Sequence, residues 1–489
     1  MTISQALANA SSGLSAAAQR ANVTSNNIAN ALTDGYSRRD VTLSERVTGG
    51  VGAGVTVSGV TRAENAAITY ERRIADGELA FENAAATALG KASDLLGGPE
   101  DANALFQKYV ELESSLRALA DAPDNTAAQQ KVVSAANGLT DAFVRIERGL
   151  QTTRAEADNE IAARVDDINA ALQKIENLNS SISRGAATGT DVSALLDQRQ
   201  RLVDAINESL PVRELQRDDG KIDLMTTEGV FLLAGTARKL SFSATPVITA
   251  QSEYASGAGA LSGLSVDGVE ITPGGPSAQS PKSGAIAGLF AVRDDIIPQA
   301  ARNLDALALD AIERFSEAGL DPTLPAGAPG LFTDAGAPGD PSNLIGMAGR
   351  IVTNSAVDPT QGGDVYRIRD GLGAVEPAAA GSDSFVRSLI AAMSDGRPTH
   401  TALQASSELN AAEAAAHVTS LVGGVAASRA SEREAASALS QALSDAEIQE
   451  TGVDTDRELQ NLLTIEQAYA ANARVIQTID QLIQRLLEI

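Results

Sequence analysis

The chain has 489 residues, a formal net charge of −25, no cysteine, no tryptophan and only 3% aromatic residues. Without cysteine there are no disulfides, thiol nucleophiles or cysteine-ligated zinc, and the negative balance argues against general nucleic-acid binding, which needs cationic surface to displace counterions. A hydrophobic fraction of 43% is enough for a sizeable core of Ala, Leu, Ile and Val spread over roughly two to four domains.

Residues 1–30 lack the basic stretch and continuous apolar run of a secretory signal. No segment approaches the ~20 apolar residues that span a bilayer, so no membrane insertion is expected, and export would need another route. Proline maps the rest: of 16, 14 lie between Pro211 and Pro398, with none in the first 98 or last 91 residues. Proline breaks helix interiors, so helical ends are expected around a loop- and strand-rich middle.

In chain order, the N-terminus carries apolar and small residues at 3/4 spacing: Ile3, Leu7, Ala10, Leu14, Ala17, Ala21, Thr24, Ile28 and Ala31. One column holds large Leu7, Leu14 and Ile28 and the other is mostly small, which admits a close partner helix. This helix runs into Asn26-Asn27-Ile28-Ala29-Asn30, then Asp34-Gly35 and Tyr36-Ser37-Arg38-Arg39, which reads as a helix end with a specified turn. Strands are expected at 41–47 and 55–60 around a Gly49–Gly54 turn region. Helices are expected from 61 to about 96, from 101 to about 120 and from 123 to about 183. Asp219-Gly220 and Asp267-Gly268 each sit between alternating runs and signal tight hairpins. A helix is expected over 283–317, residues 319–380 are rich in Gly, Pro, Ala and Asp, and helix resumes past 384.

At the C-terminus, Thr451-Gly452 breaks a helix and Thr455 with Glu458 has the spacing of a capping box. A seven-residue repeat follows, with Leu462, Tyr469, Ile476 and Ile483 in one column and Ile465, Asn472, Ile479 and Leu486 in the other. A lone Asn in such a seam sets register at some cost in stability. An ordinary core helix has the same periodicity; the matching seam at the other end of the chain favours pairing.

Chemistry is sparse. His400 and His417 lack metal-ligand spacing. The run from Gly49 to Gly54 lacks the spacing and the Lys-Ser/Thr of a phosphate loop, and Asp218-Asp219-Gly220 is too short for a calcium loop. No catalytic residue, metal site or cofactor is expected, although carboxylates distant in sequence can meet in space.

Against this background the chain resembles the family of the first flagellar hook-associated protein, the hook–filament junction or FlgK family. The resemblance rests on Asn27-Ile28-Ala29-Asn30 with Thr33 and Gly35-Tyr36-Ser37-Arg38, and on "VGAGVTVSGVTRAENAAITYERRI" (51–74). It continues through Leu195–Arg199 with Leu202–Asp204, and Ser283–Asp305. The most specific match is "GVDTDRELQNLLTIEQAYAANARVIQTIDQLIQRLL" (452–487). It departs after Phe315, at "SEAGLDPTLPAGAPGLF". The resemblance implies a discontinuous multidomain axial protein, mainly α with β inserts: an inner coiled-coil domain (1–60 with 452–489), a helical body (61–211 with 283–318 and 384–451) and an outer β-rich part (212–282 with 319–383). It implies a non-enzymatic adaptor exported unfolded through the flagellar type III apparatus. The implied partners are hook protein, the second junction protein, copies of itself, the filament cap and a cytoplasmic export chaperone that covers the C-terminal helix. The candidate assembly residues are Ile3, Leu7, Leu14, Ile28, Asn30, Gly35, Tyr36 and Arg38 at one end. At the other they are Leu462, Ile465, Tyr469, Asn472, Ile476, Ile479, Ile483 and Leu486. Another axial protein of hook or filament type, or an extracellular enzyme or adhesin on the middle insert, stands as the alternative.

Overall fold

A computed structural model describes residues 3–48, 51–98, 100–255 and 259–487. Helix α1 (Ile3–Ala29) leads into the antiparallel hairpin β1 (Arg39–Thr48) and β2 (Val51–Arg62). Four helices follow: α2 (Ala66–Leu96), α3 (Leu105–Asp121), α4 (Thr126–Thr188) and α5 (Ser193–Ser209). Strands β3 (Val212–Gln216), β4 (Ile222–Thr226), β5 (Phe231–Ala234) and β6 (Thr236–Ala237) make one sheet in that order. Strands β7 (Leu240–Ser241), β8 (Ser265–Val266) and β9 (Val269–Glu270) make a second. Helices α6 (Ala285–Ala291) and α7 (Ile297–Phe315) are joined by a π turn over Val292–Ile296. Short elements come next: β10 (Phe332–Asp334), α8 (Met347–Arg350), β11 (Ile351–Thr353), α9 (Arg367–Asp370) and α10 (Ser384–Ser394). The chain closes with α11 (Ala411–Thr451) and α12 (Thr455–Leu487). It is mainly helical with small sheets, as the proline distribution indicates.

Both Asp-Gly pairs make hairpins. Asp267 (φ 48°) and Gly268 (φ 83°) take the two positive angles of a type I′ turn between β8 and β9. Gly220 (φ 78°) lies in the turn between β3 and β4. Of the turn between β1 and β2, Gly49 and Gly50 lie outside the described residues.

The spine is α4, 63 residues and so roughly 95 Å long at 1.5 Å per residue. It starts on Asn125, whose side chain accepts from the N–H groups of Ala127 and Ala128, and ends on left-handed Gly189. Its first half packs Val132, Leu139, Phe143 and Ile146 against α3, α7, α10 and the start of α11. Its second half packs Ile161, Ile168, Leu172 and Ile175 against α5, α6 and both sheets of residues 212–271. The two stretches assigned from sequence to one outer part therefore join different cores. Leu331, Phe332, Met347, Ile351 and Ile368 bury themselves in the first, with the helices, while Leu224, Leu233 and Val266 belong to the second.

The halves are tied together at the π turn. Its extra residue frees a carbonyl from the helical ladder, and the Arg293 carbonyl accepts from Arg154 Nε at 2.8 Å. The fully buried Arg293 guanidinium reaches Asp158 on α4 at 2.7 Å, Asp294 at 2.8 Å and the Ser262 carbonyl at 3.1 Å. It also lies 4.6 Å from the Phe290 ring centre.

On α7, buried Asp305 accepts the N–H groups of Gly346 and Ala348, each at 2.8 Å, and so anchors α8. Burial outweighs these bonds and raises its pKa from 3.8 to about 7. A carboxyl group with a raised folded pKa contributes stability that is full below the unfolded value. That contribution is lost as pH rises through the folded value. Relative to Asp305→Asn, the unmodified chain is thus expected to gain stability as pH falls from about 7 to 4. Urea titrations of both proteins across this window check it; a pH-independent gap refutes it.

Candidate functional site

α1 and α12 pack along one another. The N–H of Arg38, beyond α1, donates at 2.8 Å to the carbonyl of Thr451, the last residue of α11, four residues before α12 begins. Midway, a Cβ on Gly13 would sit 2.8 Å from the Asn472 side-chain amide. The helices are therefore antiparallel. The face of α1 turned inward is small and polar: Ala10, Ala16, Ala17, Thr24 and Asn27 are buried, with Gly13 against Asn472. On α12 it is Glu458, Ile465 and Ile479 that are buried, with Asn472 half-buried between them.

One column of the N-terminal seam, Ala10, Ala17 and Thr24, buries itself. The other does not. Leu14 and Ile28 are half-buried, and Ile3 and Leu7 are each 39% exposed. Small residues permit a close approach, so the contact passes over Gly13, which lies against Asn472, and leaves the large side chains on its rim. On α12, Leu462, Ile476 and Ile483 are half-buried, Tyr469 is exposed, and the Leu486 side chain lies outside the described residues. Leu459, Leu463, Val475 and Leu482 are also 45–60% exposed, and Leu32, after α1, is fully exposed. The pair thus carries uncovered apolar side chains on both flanks.

The base of the pair is a clasp centred on Asn27, which is fully buried. Its Nδ2 donates to the Arg39 carbonyl at 2.9 Å. Its Oδ1 accepts from Tyr36 Oη at 2.8 Å and from the Arg39 N–H at 3.1 Å. Tyr36 is held within the chain, with Arg39 over its ring at 4.8 Å, and burial raises its pKa. Gly35 turns the chain at φ 69°. Half-buried Asn30 donates to the Asn26 carbonyl at 2.9 Å, inside the helix end.

Arg39, rather than Arg38, reaches the body: it pairs with Asp197 of α5 at 2.8 Å, and Arg62 at the end of β2 pairs with the same carboxylate at 2.6 Å. The Arg38 side chain faces Asp40 at 3.5 Å. The hairpin is pinned to α1 as well: Ser12 Oγ accepts from the Val55 N–H at 3.1 Å, and a Cβ on Gly54 would lie 2.1 Å from that oxygen. Capping of α12 also differs from the expectation. Asp454, not Thr455, is the cap, accepting from Asp456 and Arg457 at 3.0 and 3.2 Å, while Glu458 is buried.

Asn27 and Arg39 stood in the quoted run, but only distance shows that they, with Arg62 and Asp197, form the joint. Asn27→Ala strips three hydrogen bonds and is expected to lower the opening free energy of amides 26–39 by about 1–3 kcal/mol. Asn27→Asp, which keeps the acceptor, should fall between. Hydrogen exchange reads this directly, and unchanged exchange would remove Asn27 from the joint. The histidines are local: His400 Nδ1 accepts from Ala402 at 3.1 Å and His417 Nε2 contacts the Leu403 carbonyl at 2.8 Å. Among the described residues no group of three or more His, Asp or Glu is disposed to hold a metal, and no helix is long and apolar enough to cross a membrane.

Three family models match the chain. Residues 7–36 match the flagella basal body rod protein model and 448–489 the C-terminal model of flagellar basal body rod FlgEFG proteins, the two segments that pair here as α1 and α12. Together they define a structural component of the bacterial flagellum. Residues 89–322 match the helical domain of flagellar hook-associated protein FlgK. The chain belongs to the FlgK family, that of flagellar hook-associated protein 1.

Curated relatives of that name include the Escherichia coli K12 protein, 28% identical over 330 residues (65% of this chain, 58% of the relative). The Salmonella typhimurium protein is 30% identical over 325 residues (64% and 56%). The Bacillus subtilis protein is 22% identical over 507 residues (97% and 96%). The chain spans less than two thirds of the length of the first two. The flagellar hook junction protein FlgK from Burkholderia pseudomallei aligns with a TM-score of 0.43 at 19% identity, over 55% of this chain and 46% of that one.

Proposed function

We propose that the chain is a non-enzymatic adaptor at the hook–filament junction, which assembles through its terminal helix pair with hook protein, the second junction protein and further copies of itself. The observation that carries this is the pair itself: small residues bring α1 and α12 together while Ile3, Leu7, Leu459, Leu463, Tyr469 and Leu482 stay uncovered. In water such side chains are a liability; in a packed layer each contributes roughly 1.5–3 kcal/mol on full burial. The pair acts as an inner coiled coil, the helical body packs outside it and the middle sheets lie outermost. The clasp at Asn27, Arg39 and Asp197 fixes the angle between rod and body, so one subunit transmits the hook's geometry to the filament.

The chain reaches this position through the flagellar export apparatus, unfolded. A cytoplasmic chaperone shields the α12 seam until export, which suits a helix whose apolar face is incomplete alone. The filament cap meets the layer during assembly. The test is complementation of a strain lacking its resident hook-associated protein 1, which should keep hooks and shed flagellin. This chain should restore attached filaments, and a Tyr36→Ala, Arg38→Ala variant should restore them poorly. Failure of the unmodified chain, made and exported normally, to retain filaments would reject the assignment.

A further inference from the structure

A cleft of about 650 Å³ opens between the start of α2, α5 and β3, and every residue of β3 lines it. β3 is the outer strand of its sheet, paired with β4 alone. The register pairs Arg213 with Met225 and Leu215 with Asp223, and continues as a bond from the Arg217 N–H to the Lys221 carbonyl at 3.0 Å. The odd-numbered residues therefore direct their backbone groups at β4, and Val212, Glu214 and Gln216 direct theirs outward. The Val212 N–H is taken by Asn207 Oδ1 at 3.2 Å. For those of Glu214 and Gln216 no partner is found among the described residues. Five residues of strand edge thus face an open cleft.

The cleft is also cationic, in a chain of net charge −25. Arg62, Arg73, Arg199 and Arg213 line it, against Glu64 and Glu214. Glu214 is committed to Arg73, and Glu64 lies 3.8 Å from Arg62, itself held by Asp197. Arg199, 8% exposed, is fixed through Nη1 only, to Asn179 Oδ1 at 3.0 Å and the Gly220 carbonyl at 2.8 Å. Its Nε and Nη2 have no partner among the described residues, and Arg73 Nη2 is buried without one. Arg213 lies 5.5 Å over the Tyr70 ring and meets no carboxylate. Burial lowers the pKa of Arg199 and outweighs the opposing effect of the nearby Glu214 carboxylate. Among the described residues neither Arg199 nor Arg213 makes a direct ion pair, and both lie beside a free strand edge, with Ala66, Ala67 and Leu196 supplying apolar lining.

We propose that this cleft receives an extended acidic peptide segment, added as a strand along the free edge of β3 with its carboxylate on Arg199 and Arg213. Main-chain bonds to Glu214 and Gln216 supply affinity, and the guanidinium groups select the acidic side chain. The site uses neither flank of the α1/α12 pair, so its failure leaves the assembly reading untouched.

The probe is a labelled acetyl-Val-Glu-Val-Glu-Val-amide peptide titrated against the full chain, with its Gln-for-Glu counterpart as control. Arg213→Glu reverses an exposed charge, and Gln216→Pro removes an outward N–H at a position where an edge strand tolerates proline. The acidic peptide is expected to bind about tenfold more tightly than the control, and each variant to weaken it by about tenfold. Exchange of amides 212–216 should slow on binding. Absence of binding to the unmodified chain, equal binding of the two peptides, or indifference to Arg213→Glu would overturn the proposal. Melting curves establish that the variants fold; should Gln216→Pro fail there, the charge reversal and the exchange measurement decide alone.

Discussion

Truncation after Gly452 is expected to abolish binding to isolated hooks while leaving the helical body folded. The body's core closes without α12: the two hydrophobic clusters draw on residues from Ala88 to Val422 and include none from α1 or α12. What the truncation removes is the helix that packs along α1 and every apolar group that α12 offers to a neighbour. Most helical stability comes from tertiary packing, and α1 buries only small and polar side chains, so it holds its helix weakly without a partner. The same logic makes the pair soft in the free chain, because among the described residues Ile465 and Ile479 are the large apolar side chains that α12 buries. Hydrogen exchange on dilute full-length protein is expected to show α1 and α12 exchanging much faster than α4, and both slowing on assembly. Truncated protein that still decorates hooks, or terminal helices as protected as α4 before assembly, would contradict the mechanism. Loss of binding to the export chaperone is expected in the same truncation.

Asp158→Ala is expected to cause the largest loss of stability of any single substitution discussed. Asp158 and the Arg293 side chain are both fully buried, 2.7 Å apart. Removing one partner of such a pair strands the other, at a typical cost of about 3–5 kcal/mol. Asp294 still holds Arg293 at 2.8 Å, which points to the lower end, while the Thr245 N–H loses its acceptor at 2.6 Å and raises the figure again. The damage should concentrate where the sheet of 240–271 meets the body. Asp158→Leu with Arg293→Met replaces charge by apolar volume and should recover much of the loss. Chemical denaturation followed by circular dichroism measures both; a loss under about 1 kcal/mol for the single variant would mean that the pair contributes little.

Much of the local structure was legible in the residues. Proline-free ends, a 3/4 apolar spacing, Asp-Gly between alternating runs and a Gly at a chain reversal each act within a few residues. They anticipated α1, the β1–β2 hairpin, α4, both tight turns and α12. Site chemistry was legible only as membership of a short run: Asn27, Tyr36 and Arg39 stood together, and nothing local ranked Asn27 above Asn30 or Arg39 above Arg38. Arg62, Asp197, Asp158 and Arg293 lie scores of residues from their partners, and no periodicity connects them.

The amino-acid order by itself placed most of the long helices, both tight turns and an apolar seam at each extremity. Only the tertiary structure decided that α1 sets Gly13 against Asn472 while Ile3 and Leu7 stay exposed, and that residues 319–383 join the helical core rather than the sheets of 212–282. The physical reason is the same in both cases. Periodicity and composition report how a backbone is disposed within a few residues, whereas the rotation of one helix on another and the choice of core depend on how closely distant surfaces can approach.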